Sequence, residues 1–171
     1  MTGTNGKSDF ERGDLDLTFA DLPLTDGPFE SVELLRDPYV LVVPAGSPLA
    51  QRETAPTWRE MAELDLIGHK YCRSLAQLES DGRRRLRFVF RSDHNQTVQA
   101  LVASGVGSAL VPRLTMDPDD ETTELIELPK VQPRLISFAW HRDRYRTAAA
   151  RAFVDTAQAV CVELEPKPAL T

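Results

Sequence analysis

The sequence predicts an α/β fold of two lobes with mainly parallel strand pairing, on three observations. Strand-type and helix-type hydrophobic patterns alternate along the chain. Two wholly apolar strands, YVLVVP and SALVP, each stop at a proline. The elements between them form a compact set of their own, so both strands are expected to cross between lobes as a hinge. One lobe then spans 44–107, and the other is discontinuous, 10–43 and 108–164. Residues 1–9 (MTGTNGKSD) read as a flexible leader, and 165–171 as a tail that Pro166 and Pro168 keep from continuing a helix.

In DLDLTFA, Leu15, Leu17 and Phe19 alternate with Asp16 and Thr18, the period of a strand. A short strand VELL (32–35) precedes Asp37-Pro38. YVLVV (39–43) is apolar at every position, as a strand covered on both faces must be. Pro44 lacks the N–H that a ladder would need. TWRE (57–60) is a capping box, in which the Thr57 hydroxyl accepts from the Glu60 N–H while Glu60 reaches back. A helix through Leu64 and a small strand DLIG (65–68) follow.

Ser74 and Gln77 repeat the capping pattern and predict a helix over 75–80, ended by Asp81-Gly82. FVFR (88–91) is a strand by its aromatic and β-branched content. Asp93 or Asn95 then caps a helix with Val98, Leu101 and Val102 at i, i+3 and i+4. Gly105 sits where a left-handed residue ends that helix. VGSALVP (106–112) is the second apolar strand. The acidic turn 116–124 leads to strands LIEL (125–128) and RLISFAW (134–140). Thr147 opens an Ala-rich helix to Leu164, with Phe153, Ala157, Val160 and Leu164 along one stripe.

The 171 residues, 42% hydrophobic and 27% charged, fit about one domain of the usual ~100–200 residues. Twenty Lys+Arg against 26 Asp+Glu give a net charge of −6, which argues against direct nucleic-acid binding. No stretch approaches the ~20 apolar residues of a membrane span, and the opening residues hold no secretory apolar core. Cys72 and Cys161 are far apart and match no metal spacing, so a reducing cytoplasm with free thiols is expected.

GDLDLTFADLP, LLRDPYVLVVPAGSPLA, FRSDHNQTVQALVASGVGSALVPRL and ISFAWHRDRY resemble the effector-binding domain of LysR-type transcriptional regulators. Three motifs carry the resemblance in order. They are the strand Gly13-Asp14-Leu15-Asp16-Leu17, the proline set Pro44, Pro48, Leu49 and Ala50, and V-A-x-G-x-G-x-x-L-V-P from Val102 to Pro112. The match covers about residues 10–162. It implies a type II periplasmic-binding-protein-like fold, two α/β lobes joined by two crossing strands, with a small molecule bound in the inter-lobe cleft. GDLDLTFA resembles the third strand of the first lobe, so the resemblance implies that lobe is N-terminally truncated. An unpaired edge on the Leu15–Phe19 strand follows. The chain contains no helix-turn-helix, so DNA is expected to be reached only through a DNA-binding domain absent from it.

The resemblance turns two strand-to-helix junctions toward the cleft. Helix N-termini suit carboxylates and phosphates, which makes Cys72, Arg73 and Ser74 in HKYCRSLAQ (69–77) effector-contact candidates. The same residues also fit a plain cap and a solvated charge. At SDHNQT (92–97), His94, Asn95, Gln96 and Thr97 offer donors and acceptors in a row. Asp21, just past the first strand, stands where α/β folds place ligands, or is only a turn residue. Arg113, after the second apolar strand, suits an anionic effector, or is merely exposed. The basic clusters RRRLR (83–87) and HRDRYR (141–146) read as solvated faces rather than a nucleic-acid surface.

No catalytic constellation is visible: His69, His94 and His141 stand in no HExxH, no GxSxG and no paired-acid spacing. The expectation is a non-enzymatic sensor module without metal or cofactor. It forms a homodimer and binds an organic acid or amino-acid-like effector. The alternatives are a solute-binding protein of a transport system, an enzyme on the same scaffold, and a fragment acting only through protein–protein pairing.

Overall fold

The computed structural model describes residues 15–24, 27–69, 86–117 and 119–164. They form β1 (Thr18–Leu22), β2 (Phe29–Asp37), β3 (Tyr39–Pro44), α1 (Trp58–Met61), β4 (Leu66–His69) and β5 (Phe88–Ser92). Then come α2 (Asn95–Ala103), β6 (Ser108–Pro112), a 3-10 turn (Arg113–Thr115), β7 (Thr123–Glu127), β8 (Arg134–His141) and α3 (Ala148–Leu164). The chain divides into two compact units. One holds the chain up to Arg36 and from Arg134 on; the other holds Asp37–Pro133.

The Asp37–Pro133 unit is built on a five-stranded sheet in the order β5-β4-β6-β3-β7. Between β6 and β7 lies β3, whose Tyr39–Val43 have no exposed surface. The two-residue period of a strand sends Tyr39, Leu41 and Val43 to one face, into a core with Met61, Leu66, Leu86, Leu110, Leu128 and Val131. Val40 and Val42 go to the other face, with Ile67, Val98, Val102, Ala109, Val111 and Met116. An unbroken apolar run is therefore what this position demands, because either face would otherwise bury a polar group.

The capping box forms as expected. The Glu60 N–H donates to the Thr57 hydroxyl (3.3 Å), and the Thr57 N–H donates to Glu60 Oε2 (2.7 Å). At the end of α2, Gly105 takes φ +79°. There the Gly105 N–H donates to Val102 O (2.9 Å) and the Val106 N–H to Leu101 O (3.1 Å), a Schellman closure. A Cβ on Gly107 would collide with the Asp65 carbonyl oxygen, which accepts the Ser108 N–H (2.9 Å). Left-handed backbone and close approach thus explain the two glycines of V-A-x-G-x-G.

The second unit is a three-stranded sheet, order β1-β8-β2, with a core of Leu34, Phe138, Trp140, Val154 and Cys161 built against α3. Thr147 caps α3, its hydroxyl accepting from the Ala150 N–H (3.1 Å). β1 pairs on one side with β8, Phe19 opposite Phe138, and ends the strand order on the other.

Several expectations are corrected. Parallel pairing holds for β4 with β5 and with β6. β3 is antiparallel to both β6 and β7, and β1 to β8. The two proline-stopped strands, β3 and β6, lie side by side in one sheet instead of crossing between lobes. The chain changes unit at Arg36–Asp37 and Pro133–Arg134, where the expected division was 10–43 with 108–164 against 44–107. Apolar runs report burial on both faces, which neighbours in one sheet satisfy as well as crossings do. The edge strand begins at Thr18 rather than Leu15. On α3 the buried stripe is Ala150, Val154 and Cys161, with Ala157 packed against it, while Phe153 and Val160 are exposed. An Ala-rich helix offers two adjoining apolar stripes, and only the sheet decides which is used.

Candidate functional site

β5, β4 and β6 run parallel, with His69 level with Ser92, so their carboxyl ends share one end of the sheet. Ligands of α/β folds gather at such an end. Pro112 pairs with Tyr39 at the start of β3, which brings Asp37, Pro38 and Arg113 to the same end. The Arg113 N–H donates to Pro38 O (2.8 Å) and the Leu114 N–H to the Asp37 carboxylate (3.0 Å). Asp37 is fully buried, and there it fixes the turn that follows β6.

α2 starts at this end. Its N-cap is His94, whose side chain makes no capping hydrogen bond, and its first turn holds no acidic residue. Neither Asp93 nor Asn95 caps, contrary to expectation. The helix begins at Asn95, one place off for both side chains. The His94 N–H instead donates to the Ser92 hydroxyl (3.1 Å), and His94 Nε2 lies 3.6 Å from the Asp93 carboxylate. Asn95, Gln96 and Thr97 are exposed, and their side chains have no partner among the described residues. Among the described residues no side chain caps the first-turn amides at the positive end of the helix dipole, the kind of seat an anion can take.

The remaining candidates are placed differently. Arg113 pairs with Glu127, so its charge is already balanced. Asp21 lies within β1, opposite Ile136, in the three-stranded unit and not past its strand. Cys72, Arg73 and Ser74 lie outside the described residues. Sequence reasoning missed Asp37, although an acid between LLR and PYVLVV is itself a signal. It also missed Gln99, buried on the apolar side of α2. The Gln99 amide donates to Asp117 O (3.1 Å) and the Thr123 hydroxyl (3.0 Å), and its carbonyl accepts from the Asp117 N–H (3.1 Å). Its partners lie 18 and 24 residues away, so no local pattern shows it.

Among the described residues no group of three His, Cys, Asp or Glu could hold a metal ion. None of their helices is long and apolar enough to cross a membrane.

The family model for the LysR substrate binding domain matches residues 4–162. The probable HTH-type transcriptional regulator LrrA of Synechococcus elongatus is 26% identical over 156 residues, which are 89% of this chain and 52% of that protein. The chain thus spans about half the length of the curated relatives it matches. The regulatory domain of CcmR from Synechocystis, solved in complex with 2-PG, superposes with a TM-score of 0.78 at 15% identity, covering 91% of this chain and 77% of that one. The effector binding domain of BenM, solved with its effector benzoate, gives 0.77 at 17% identity, covering 99% and 80%. These likenesses show the fold, that of a mixed α/β effector-binding domain of the periplasmic-binding-protein-like kind. The match over nearly the whole chain settles its kinship: the protein belongs to the LysR substrate binding domain family.

Proposed function

We propose that this chain senses a small anionic or amino-acid-like effector for a LysR-type transcriptional regulator, and that it carries out no catalysis. The observation that carries the reading is the uncapped N-terminus of α2, with Asn95, Gln96 and Thr97 exposed where three parallel strands end. A carboxylate seated there would take the first-turn N–H groups that no described side chain caps, and the three side chains would read the rest of the molecule. Solved relatives of the same fold hold 2-PG and benzoate. In the regulator, the chain works as a homodimer in the cytoplasm and reaches DNA through a separate DNA-binding domain. Cys72, Arg73 and Ser74, in the segment that follows β4 along the chain, are proposed as further effector contacts.

Thermal melting against a panel of organic acids and amino acids tests the reading. A ligand at a hundred times its Kd stabilises the native state by about 2.7 kcal/mol. At least one carboxylate should raise the melting temperature, and Asn95→Asp should abolish that rise by placing a fixed negative charge in the seat. A panel that leaves the melt unmoved, or a rise that survives Asn95→Asp unchanged, rejects the site.

A further inference from the structure

Two kinds of contact hold α2 in the five-stranded unit. Val98 and Val102 pack into the core shared with Val40, Val42 and Ile67. Apolar burial is non-directional, so it decides which face of the helix turns inward and little about its position along the axis. Of the side chains on α2, Gln99 alone hydrogen-bonds to another element among the described residues. Its carboxamide grips the main chain of Asp117 from both ends, donating to Asp117 O (3.1 Å) and accepting from the Asp117 N–H (3.1 Å). A third bond, to the Thr123 hydroxyl (3.0 Å), reaches the first residue of β7. Hydrogen bonds demand both distance and angle, and a planar amide using all three fixes the helix in translation and in tilt.

The far end of this clamp is itself braced. The Thr123 hydroxyl donates on to the Asp120 carboxylate (3.2 Å), which also accepts from the N–H and hydroxyl of Thr122 (2.9 and 2.6 Å). The Asp117 carboxylate accepts from the Asp119 N–H (3.0 Å). Thr123 is paired with Pro44 at the end of β3. Gln99 is therefore tied to the sheet, not to a loop that would follow the helix wherever it moved.

Gln99 stands four residues after Asn95, about 6 Å along the axis from the start of α2. A ligand seat needs its groups held within about 0.5 Å of their productive position. We propose that Gln99 is a positioning residue for the effector seat, its clamp on Asp117 and Thr123 setting where the first-turn amides of α2 stand. This rests on the effector site proposed above and names what holds that site in place.

Two near-isosteric variants cut the clamp from opposite ends, Gln99→Met on α2 and Thr123→Val on β7, with circular dichroism as the check on folding. Residual dipolar couplings of the α2 amides, fitted in the frame of β3 and β6, are read without effector. In both variants the α2 couplings should leave the fit that β3 and β6 still obey. The Kd of a carboxylate that raises the parent's melting temperature is then titrated. It should weaken about tenfold in Gln99→Met and about threefold in Thr123→Val, which loses one bond of the three. Leu128→Ala loosens the opposite face of the sheet, leaves the clamp intact and should keep the parent's Kd. Couplings that stay on the parent's fit in both variants overturn the proposal, and so does an unchanged Kd in Gln99→Met. A Leu128→Ala chain that loses as much affinity as Gln99→Met also overturns it, because general softening then explains the loss. If no carboxylate binds the parent, the seat itself is rejected, while the couplings still decide whether Gln99 sets the position of α2.

Discussion

Along β3 every residue from Tyr39 to Val43 is sealed from solvent, whereas along β1 burial alternates and Phe19 keeps 67% of its surface open. The five-stranded sheet has a core on each face. The three-stranded sheet has one, shared with α3. Its aromatic contacts run Phe19 to Phe138 (ring centres 4.5 Å apart) and on to Phe153 (5.4 Å), and both outer rings are exposed. The difference locates stability in the unit that also carries the proposed effector site. A ligand seat on a helix N-terminus needs a framework that does not shift when the seat is empty, and a sheet packed on both sides supplies it.

The largest expected effect breaks the comparison most directly. Leu41→Ala should cost about 3 to 5 kcal/mol by urea unfolding, the range of a fully buried leucine whose surroundings cannot collapse. Phe153→Ala, at a ring 57% exposed, should cost below about 1 kcal/mol. Equal costs would remove the claimed asymmetry. Next, Gln99→Ala should cost about 1 to 3 kcal/mol, because it strips partners from the main chain of Asp117 and from the buried Thr123 hydroxyl. Asn95→Asp is smaller and of opposite sign for the unliganded chain. A carboxylate in the first turn of α2 should stabilise it by about 0.3 to 1 kcal/mol while weakening an anionic ligand.

The smallest effect concerns pH. The Thr57 N–H, then the Thr57 hydroxyl and Arg52, hold the Glu60 carboxyl at about 2, below its ordinary 4.5. A depressed carboxyl favours folding above the unfolded value. The capping box should therefore contribute fully above pH 4.5 and fade as pH falls toward 2. Thr57→Ala should flatten that part of the stability profile, read from melts at pH 3 and pH 6. An unchanged slope would show that the box does not set it.

Much of this molecule was written locally. The apolar run 39–43, the Thr57–Glu60 box, Gly105 as a helix stop and Thr147 as a helix start all act within a few residues. Each was legible for that reason. The effector candidates at 94–97 were legible as a strand-to-helix junction, yet the cap was assigned to the wrong side chain. A one-residue shift in where α2 begins moves Asp93 and Asn95 out of capping position. Gln99 and Asp37 were missed because their partners are 18 to 77 residues distant.

Local chemistry by itself determined which segments extend, which coil, where they stop, and which motifs tie the chain to its family. It did so because dihedral preference, side-chain period and capping are settled between near neighbours. The tertiary structure alone decided that β3 and β6 are sheet neighbours, that α3 buries Val154 and leaves Phe153 outside, and that Arg113 is matched by Glu127. Pairing partners, the chosen stripe of a helix and the neutralisation of a charge depend on which distant surfaces meet, and an apolar or charged residue reads the same in sequence whichever one it finds.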